Sequence, residues 1–224
     1  MKNSLIISLI FLLAACGSEQ NPLVIKQQPI VLIIAEDHSQ SFGGYNQFDP
    51  QHISLICQEI AKAGREGVVC FQTIGNPSDS SLVRVTIQAI PMLEPNATLS
   101  LKAKQHQVML KIQAANQRAI AIFTGKVTQL ANRPLEASTD VNGFLLKADR
   151  LFSEPEFAGY AKYLYVHTDG IQSVEKDTTL VSTIAPDVQL YVSGWKNHTM
   201  LSANKPFESS EGFTNFITHI LKNK

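Results

Sequence analysis

The sequence predicts a single α/β domain built on a mainly parallel sheet. Three observations carry this. Four short apolar runs read as buried strands, apolar stripes at helical spacing lie between them, and the composition suits a packed core, with 44% hydrophobic residues and 19 basic against 19 acidic residues.

The first strand is Pro29 to Ala35, Pro-Ile-Val-Leu-Ile-Ile-Ala, an unbroken apolar run of the kind that parallel sheets cover on both faces. It gives way to Glu36-Asp37-His38-Ser39-Gln40-Ser41, and Gly43-Gly44 marks a loop. Asp49-Pro50 opens a helix, with Asp49 as N-cap and Pro50 in the first turn. Ile53, Ile56, Cys57 and Ile60 share one face of it, and Gly64 lies near its end. Val68 to Thr73 is the second apolar strand, and the polar stretch from Gly75 to Leu82 reads as an exposed loop. Val83, Val85, Ile87 and Ala89 alternate with Arg84, Thr86 and Gln88, the pattern of a half-exposed strand near a sheet edge. Leu99, Leu101 and Ala103 alternate as well, and are expected to form its hairpin partner.

From Gln107 to Leu130 the spacing turns helical, through Val108, Ile112, Ala115, Ala119, Phe123, Val127 and Leu130, and Asn132-Arg133-Pro134 ends the helix. Ser138-Thr139-Asp140 leads into another, with Phe144, Leu145, Ala148, Leu151 and Phe152 as its stripe. Tyr163 to Val166 is a third buried strand, ending at His167-Thr168-Asp169-Gly170, and Val188 to Val192 is a fourth. Phe213, Phe216, Ile217, Ile220 and Leu221 outline a closing helix.

The N-terminus has its own logic. Lys2 precedes an apolar run from Leu5 to Leu13, far short of the roughly 20 apolar residues of a membrane-spanning helix. Small residues and a thiol follow, in Leu13-Ala14-Ala15-Cys16. This resembles the lipobox of bacterial lipoproteins. The resemblance implies a signal peptide over 1–15, an acylated Cys16 as the first mature residue, and a polar tether to residue 28. The domain then occupies 29–224. It also implies attachment to the bacterial cell envelope. Gly17, where an Asp would favour inner-membrane retention in a Gram-negative cell, points to the outer membrane.

Removing such a leader takes away one basic residue and no acid, so the mature chain stays near neutral, and without basic runs it does not suggest a nucleic-acid partner. Cys57 and Cys70 would then meet an oxidising compartment. A disulfide and two separate buried thiols both stay open for them.

Ligands of parallel sheets bind beyond the carboxyl ends of the strands. Asp37, Ser39 and Ser41 follow the first strand, Thr139 precedes a helix, and Asp169 ends the third strand. Few charges and several hydroxyls make an oxygen set for a hard cation such as Mg2+. The order Asp37-x-Ser39-x-Ser41, then Ser138-Thr139-Asp140, then Tyr165-Val166-His167-Thr168-Asp169-Gly170 resembles the metal-ion-dependent adhesion site of von Willebrand factor type A domains. The resemblance covers nearly all of the mature chain. It implies a doubly wound, mainly parallel central sheet with helices on both faces, a Rossmann-like arrangement. It further implies Asp37, Ser39, Ser41 and Thr139 as ligands of Mg2+ (or Mn2+ or Ca2+), with Asp169 bonding directly or through water. The partner implied is a protein that offers a carboxylate. Three positions depart from the family pattern: Glu36 for an apolar residue, Phe42 for Met, and Ala137-Ser138 for Gly-Gly.

His38 and His167 sit beside these residues, but adjacent side chains rarely converge, and no Gly-x-Ser-x-Gly elbow, phosphate loop or zinc spacing is present. His38 is expected to point away from the metal and His167 to be structural. Trp195 fits either a site rim or a packed corner. The expected function is therefore binding or assembly without catalysis. The rivals are a metal-dependent α/β hydrolase using Asp37 and Asp169, and a structural lipoprotein whose site has lost its metal.

Overall fold

The computed structural model describes residues 27–42, 49–75, 82–92, 95–171, 173, 184–194, 216 and 220. Strand β1 (Ile30–Asp37) lies at the centre of a five-stranded sheet. Around it stand helix α1 (Pro50–Lys62), β2 (Gly67–Ile74), β3 (Val83–Ile87), α2 (Leu99–Ala131), α3 (Val141–Phe152), a short 3-10 turn (Pro155–Phe157), β4 (Ala161–His167) and β5 (Val188–Ser193). The strand order is β3-β2-β1-β4-β5. β1 is parallel to β2 and to β4, β4 is parallel to β5, and β3 alone runs antiparallel, on an edge of the described sheet.

The apolar run of β1 is explained by this position. Each of its residues is buried, because strands flank it on both sides and helices cover both faces. Ile30, Leu32 and Ile34 pack with Ile53, Ile56 and Ile60 of α1, with Ile120, Phe123 and Val127 of α2, and with Phe216 and Ile220. Val31, Ile33 and Ala35 point the other way, into Val141, Phe144, Leu145 and Ala148 of α3. The sheet is thus doubly wound and mainly parallel, as the resemblance implies.

Local signals place the elements. Asp49 Oδ1 accepts from the Gln51 backbone N–H at 2.8 Å and caps α1, whose chain reverses at Gly64 with φ 71°. Asp140 Oδ1 accepts from the Gly143 N–H at 2.9 Å and caps α3. Asn116 of α2 grips the backbone of Gln88, just past β3: its Nδ2 donates to the Gln88 carbonyl at 2.8 Å and its Oδ1 accepts from the Gln88 N–H at 3.0 Å.

The structure corrects several expectations. Leu99, Leu101 and Ala103 are not a strand: they form the first turns of α2, which Thr98 caps by accepting from the Leu101 N–H at 3.3 Å. The helix therefore begins well before Gln107. Its buried face is Asn116, Ile120, Phe123, Val127 and Leu130, while Val108 is 50% exposed. β1 runs on to Asp37, because Glu36 and Asp37 still pair with Thr73 and Ile74 of β2. Cys57 and Cys70 are free thiols in different cores, one on each face of the sheet, so the sheet itself keeps them apart. Gly43-Gly44, Trp195, most of the Gly75 to Leu82 loop, and Phe213, Ile217 and Leu221 of the closing helix lie outside the described residues. Phe216 and Ile220 are helical and fully buried.

Candidate metal centre

Since β1, β2 and β4 run in parallel, their carboxyl ends bring three loops together. The first follows β1. Asp37 Oδ1 accepts from the Ser39 N–H at 3.0 Å, which curls the loop back on the strand end. Ser39 Oγ and Ser41 Oγ share a hydrogen bond at 3.1 Å, so both hydroxyls stand at one place. Asp37 is 4% exposed and Ser39 1%, whereas Ser41 is exposed.

The second loop is strapped to the first. The His38 and Gln40 N–H groups donate to Ile74 and Glu136 carbonyls, and the Glu136 N–H returns to the His38 carbonyl at 2.8 Å. The buried His38 ring ties the two loops as well, its Nε2 bonded to the Arg133 carbonyl at 2.8 Å. Three residues beyond Glu136, Thr139 is 1% exposed. Its N–H donates to Ser173 Oγ at 2.6 Å and its carbonyl accepts from the Ser173 N–H at 3.0 Å. The next residue donates from its N–H to the Gly75 carbonyl at 3.0 Å, so the Thr139 loop is held to both the β2 end and the β4 loop.

The third loop follows β4. The Thr168 hydroxyl donates to Asp37 Oδ2 at 2.6 Å and in turn accepts from the Gly170 N–H at 3.1 Å. Asp169, 3% exposed, accepts from the Ile171 N–H at 3.1 Å. Beneath this loop, Ser193 Oγ accepts from the Tyr165 hydroxyl at 3.0 Å and bonds His167 Nδ1 at 2.7 Å, while the Phe42 ring meets the His167 ring at 4.8 Å between centroids. Gly194, at φ 80°, lets Phe42 and His167 approach: a Cβ there would stand 3.0 Å from the Phe42 ring.

Burial pushes the Asp37 carboxyl above its ordinary value; the hydrogen bonds from Thr168 and Ser39 pull it down, and the negative charge of Asp169 pushes it up again. Two carboxylates are thus enclosed near one another, beside the hydroxyls of Ser39 and Ser41. A divalent cation would relieve that repulsion. Among the described residues no three acid, His or Cys side chains gather at one point. The available donors are two carboxylates with Ser and Thr hydroxyls, which fits a hard cation and not a thiolate or imidazole site.

Of the residues expected from sequence, Asp37, Ser39 and Ser41 come together, Asp169 faces Asp37 closely enough to act on its charge, and Thr139 occupies the adjoining loop. The His38 ring is engaged by the Arg133 carbonyl and the His167 ring by Ser193 Oγ. Sequence reasoning missed Thr168, the direct partner of Asp37, and Ser173, which holds Thr139.

No family model matches the chain, and no curated protein matches it. Among solved structures, the SpRpn10 VWA domain is similar at 10% identity and a TM-score of 0.40, over 85% of this chain and 95% of that one. The manganese-loaded TRAP protein of Plasmodium vivax is similar at 11% identity and 0.39, over 86% and 72%. The pilus adhesin SpaC of Lactobacillus rhamnosus GG, in its open conformation, is similar at 15% identity and 0.37, over 66% of this chain. This chain spans 16% of that adhesin's length. The doubly wound, mainly parallel architecture stands on the strand order and registers above; likenesses this distant say nothing of activity or partner.

Proposed function

We propose that this chain is a lipid-anchored binding protein of the bacterial cell envelope, whose strand-end site holds Mg2+, Mn2+ or Ca2+ and receives a carboxylate from a protein partner. One observation carries the reading. Asp37, with the Ser39 and Ser41 hydroxyls beside it, is met across the sheet by Thr168 and by the charge of Asp169. Asp37, Ser39, Ser41, Thr139 and Asp169 would hold the ion. When bound, the cation supplies an electrophilic position that a carboxylate fills better than water. The chain's own residues orient the carboxylates, and Asp37, Ser39, Thr139 and Asp169 are buried while Ser41 is exposed. The von Willebrand factor A resemblance of the sequence supports the same reading, and the lipobox at Cys16 supports the anchor.

Ser193, which bonds His167, is 8% exposed and its hydroxyl is shared with Tyr165, so it joins β4 to β5. The rival, a metal-dependent hydrolase using Asp37 and Asp169, would take its nucleophile from water on the ion, so turnover is what separates the two readings. The test is co-purification of envelope proteins with wild type, Asp37→Ala and Thr139→Ala, each in magnesium or chelator. A partner retained only by wild type in magnesium is expected. The same partners in every condition would place recognition on another surface, and turnover on a phosphoester or peptide panel would favour the hydrolase. Cys16→Ser should release the protein from membranes; unchanged detergent-phase partitioning would remove the anchor.

A further inference from the structure

Helix α2 overhangs the sheet. Its height is fixed by the grip of Asn116 on Gln88. Gln88 follows Ile87, which pairs with Gly67, which pairs with Ile30, so this row is the edge at which β1 begins. From Asn116 onward the helix runs along the sheet to the opposite edge, where Glu136 pairs with Ser39. Residues 99–115 continue past the starting edge for about 25 Å, at about 1.5 Å per residue. Burial falls off in step: Asn116, Ile120, Phe123, Val127 and Leu130 are buried, whereas Leu101, Gln105, Met109 and Ile112, which continue the same stripe, are only half-buried and the opposite face of 99–115 is exposed. On the overhang Leu99 is 88% exposed, Val108 50% and Leu110 49%.

The charge of α2 is one-sided. Lys102, Lys104, Lys111, Arg118 and Lys126 lie in it, five of the chain's 19 basic residues and none of its 19 acidic ones. Lys104, Val108, Lys111, Ala115, Arg118 and Ile122 recur at alternating intervals of four and three, so they share one face, and all are exposed.

We propose that the overhanging end of α2 lies on an anionic lipid surface, the one in which Cys16 is anchored; the inference rests on the lipid-anchor reading. Direction selects this occupant. The segment leading back to Cys16 joins at Ile30, on the edge that α2 overhangs, and residues 17–29 reach at most about 45 Å. That edge is held toward the bilayer, and the overhang is the part of the domain that extends to it. Lys104 and Lys111 attract anionic headgroups, and Val108, between them on the same face, enters the headgroup layer. The metal centre, at the other end of the strands, is left facing away.

The test uses the full chain added to vesicles of phosphatidylcholine alone or mixed with phosphatidylglycerol, with an environment-sensitive fluorophore at Val108→Cys or at Leu135→Cys, which lies near the metal centre. Cys57 and Cys70 are buried and the Cys16 thiol carries the lipid, so the new thiol takes the label. Expected is a Val108 label that is quenched by brominated lipid only when phosphatidylglycerol is present and salt is low, with the Leu135 label unquenched. Lys104→Glu combined with Lys111→Glu should lower the phosphatidylglycerol-dependent affinity at least about tenfold, with the thermal midpoint retained as the control for folding. A Val108 label that stays aqueous while the protein sediments with both vesicles overturns the proposal and leaves the anchor standing, as does a basic face that captures only an acidic protein. A quenched Leu135 label overturns it too. Binding to phosphatidylglycerol vesicles alone by the Cys16→Ser chain supports the α2 contact without the anchor, and a chain that ignores both vesicles overturns both.

Discussion

The Thr168 hydroxyl donates to Asp37 Oδ2 at 2.6 Å, joining the ends of β4 and β1 across 131 residues of sequence. The bond fixes the outer oxygen of the carboxylate while the Ser39 N–H fixes the inner one at 3.0 Å. Asp37 therefore cannot swing away from the site without breaking two bonds.

Thr168→Val keeps the shape and removes the donor. It should lower metal affinity about 10- to 100-fold, the usual cost of losing a bond that orients a ligating carboxylate. Calorimetric titration with Mn2+ checks this, and an unchanged affinity would show that Asp37 is oriented by Ser39 alone.

Asp37 itself sets the pH and metal response. Its folded carboxyl lies above the ordinary value of 3.8, chiefly through burial, so the native state holds the proton more tightly than the unfolded chain does. The metal-free protein should then gain stability as pH falls through the folded value and lose it as pH rises through that value. The ion competes with the proton, so the rise in melting temperature on adding Mg2+ should shrink over the same acid range. At about a hundred times its dissociation constant the ion adds roughly 2.7 kcal/mol. Asp37→Asn should abolish this rise without lowering the metal-free midpoint; differential scanning fluorimetry across pH reads both.

Cys57 and Cys70 should resist alkylation in the native protein. Burial pushes each thiol up to about 12, and the thiolate is the reactive form. Two labels should appear only after denaturation, counted by mass spectrometry without reductant. A mass lower by two hydrogens and no labels would mean a disulfide through the sheet.

Asn116→Ala should cost about 2–3 kcal/mol in urea unfolding, because it strands the Gln88 N–H and carbonyl together at a half-buried edge. It should also free the overhang of α2, read as faster amide exchange in residues 99–115. A change below about 0.5 kcal/mol would show that water replaces the side chain at no cost.

What was legible in the sequence follows the range of the interactions. β1 could be read because an unbroken apolar run needs cover on both faces, and α1 because Asp49 and Pro50 carry their meaning locally. Asp37, Ser39 and Ser41 could be grouped because two-residue spacing keeps them in one turn. Leu99, Leu101 and Ala103 misled because Leu alternating with polar residues looks alike in a half-exposed strand and in a helix standing clear of the core. Thr168 was hidden because its role depends on the register of β4 against β1, which pairs Glu36 with His167. The separation of the two thiols likewise depended on which face each entered, a property of the folded sheet and not of spacing.

The central place of β1 also has a mechanical meaning. The strand begins at Ile30, next to the segment that leads to Cys16, and ends at Asp37, in the candidate site. A pull between those two points runs along the strand and parallel to both of its neighbours, which pair with it from Ile30 to Asp37 on one side and to Glu36 on the other. Such a load shears two ladders at once, where a peeling load would open them one bond at a time. Under the proposed anchoring, tension between Cys16 and a bound partner would enter the sheet through β1, the best-paired strand among the described residues, and be shared with β4 through the loop that carries Asp169.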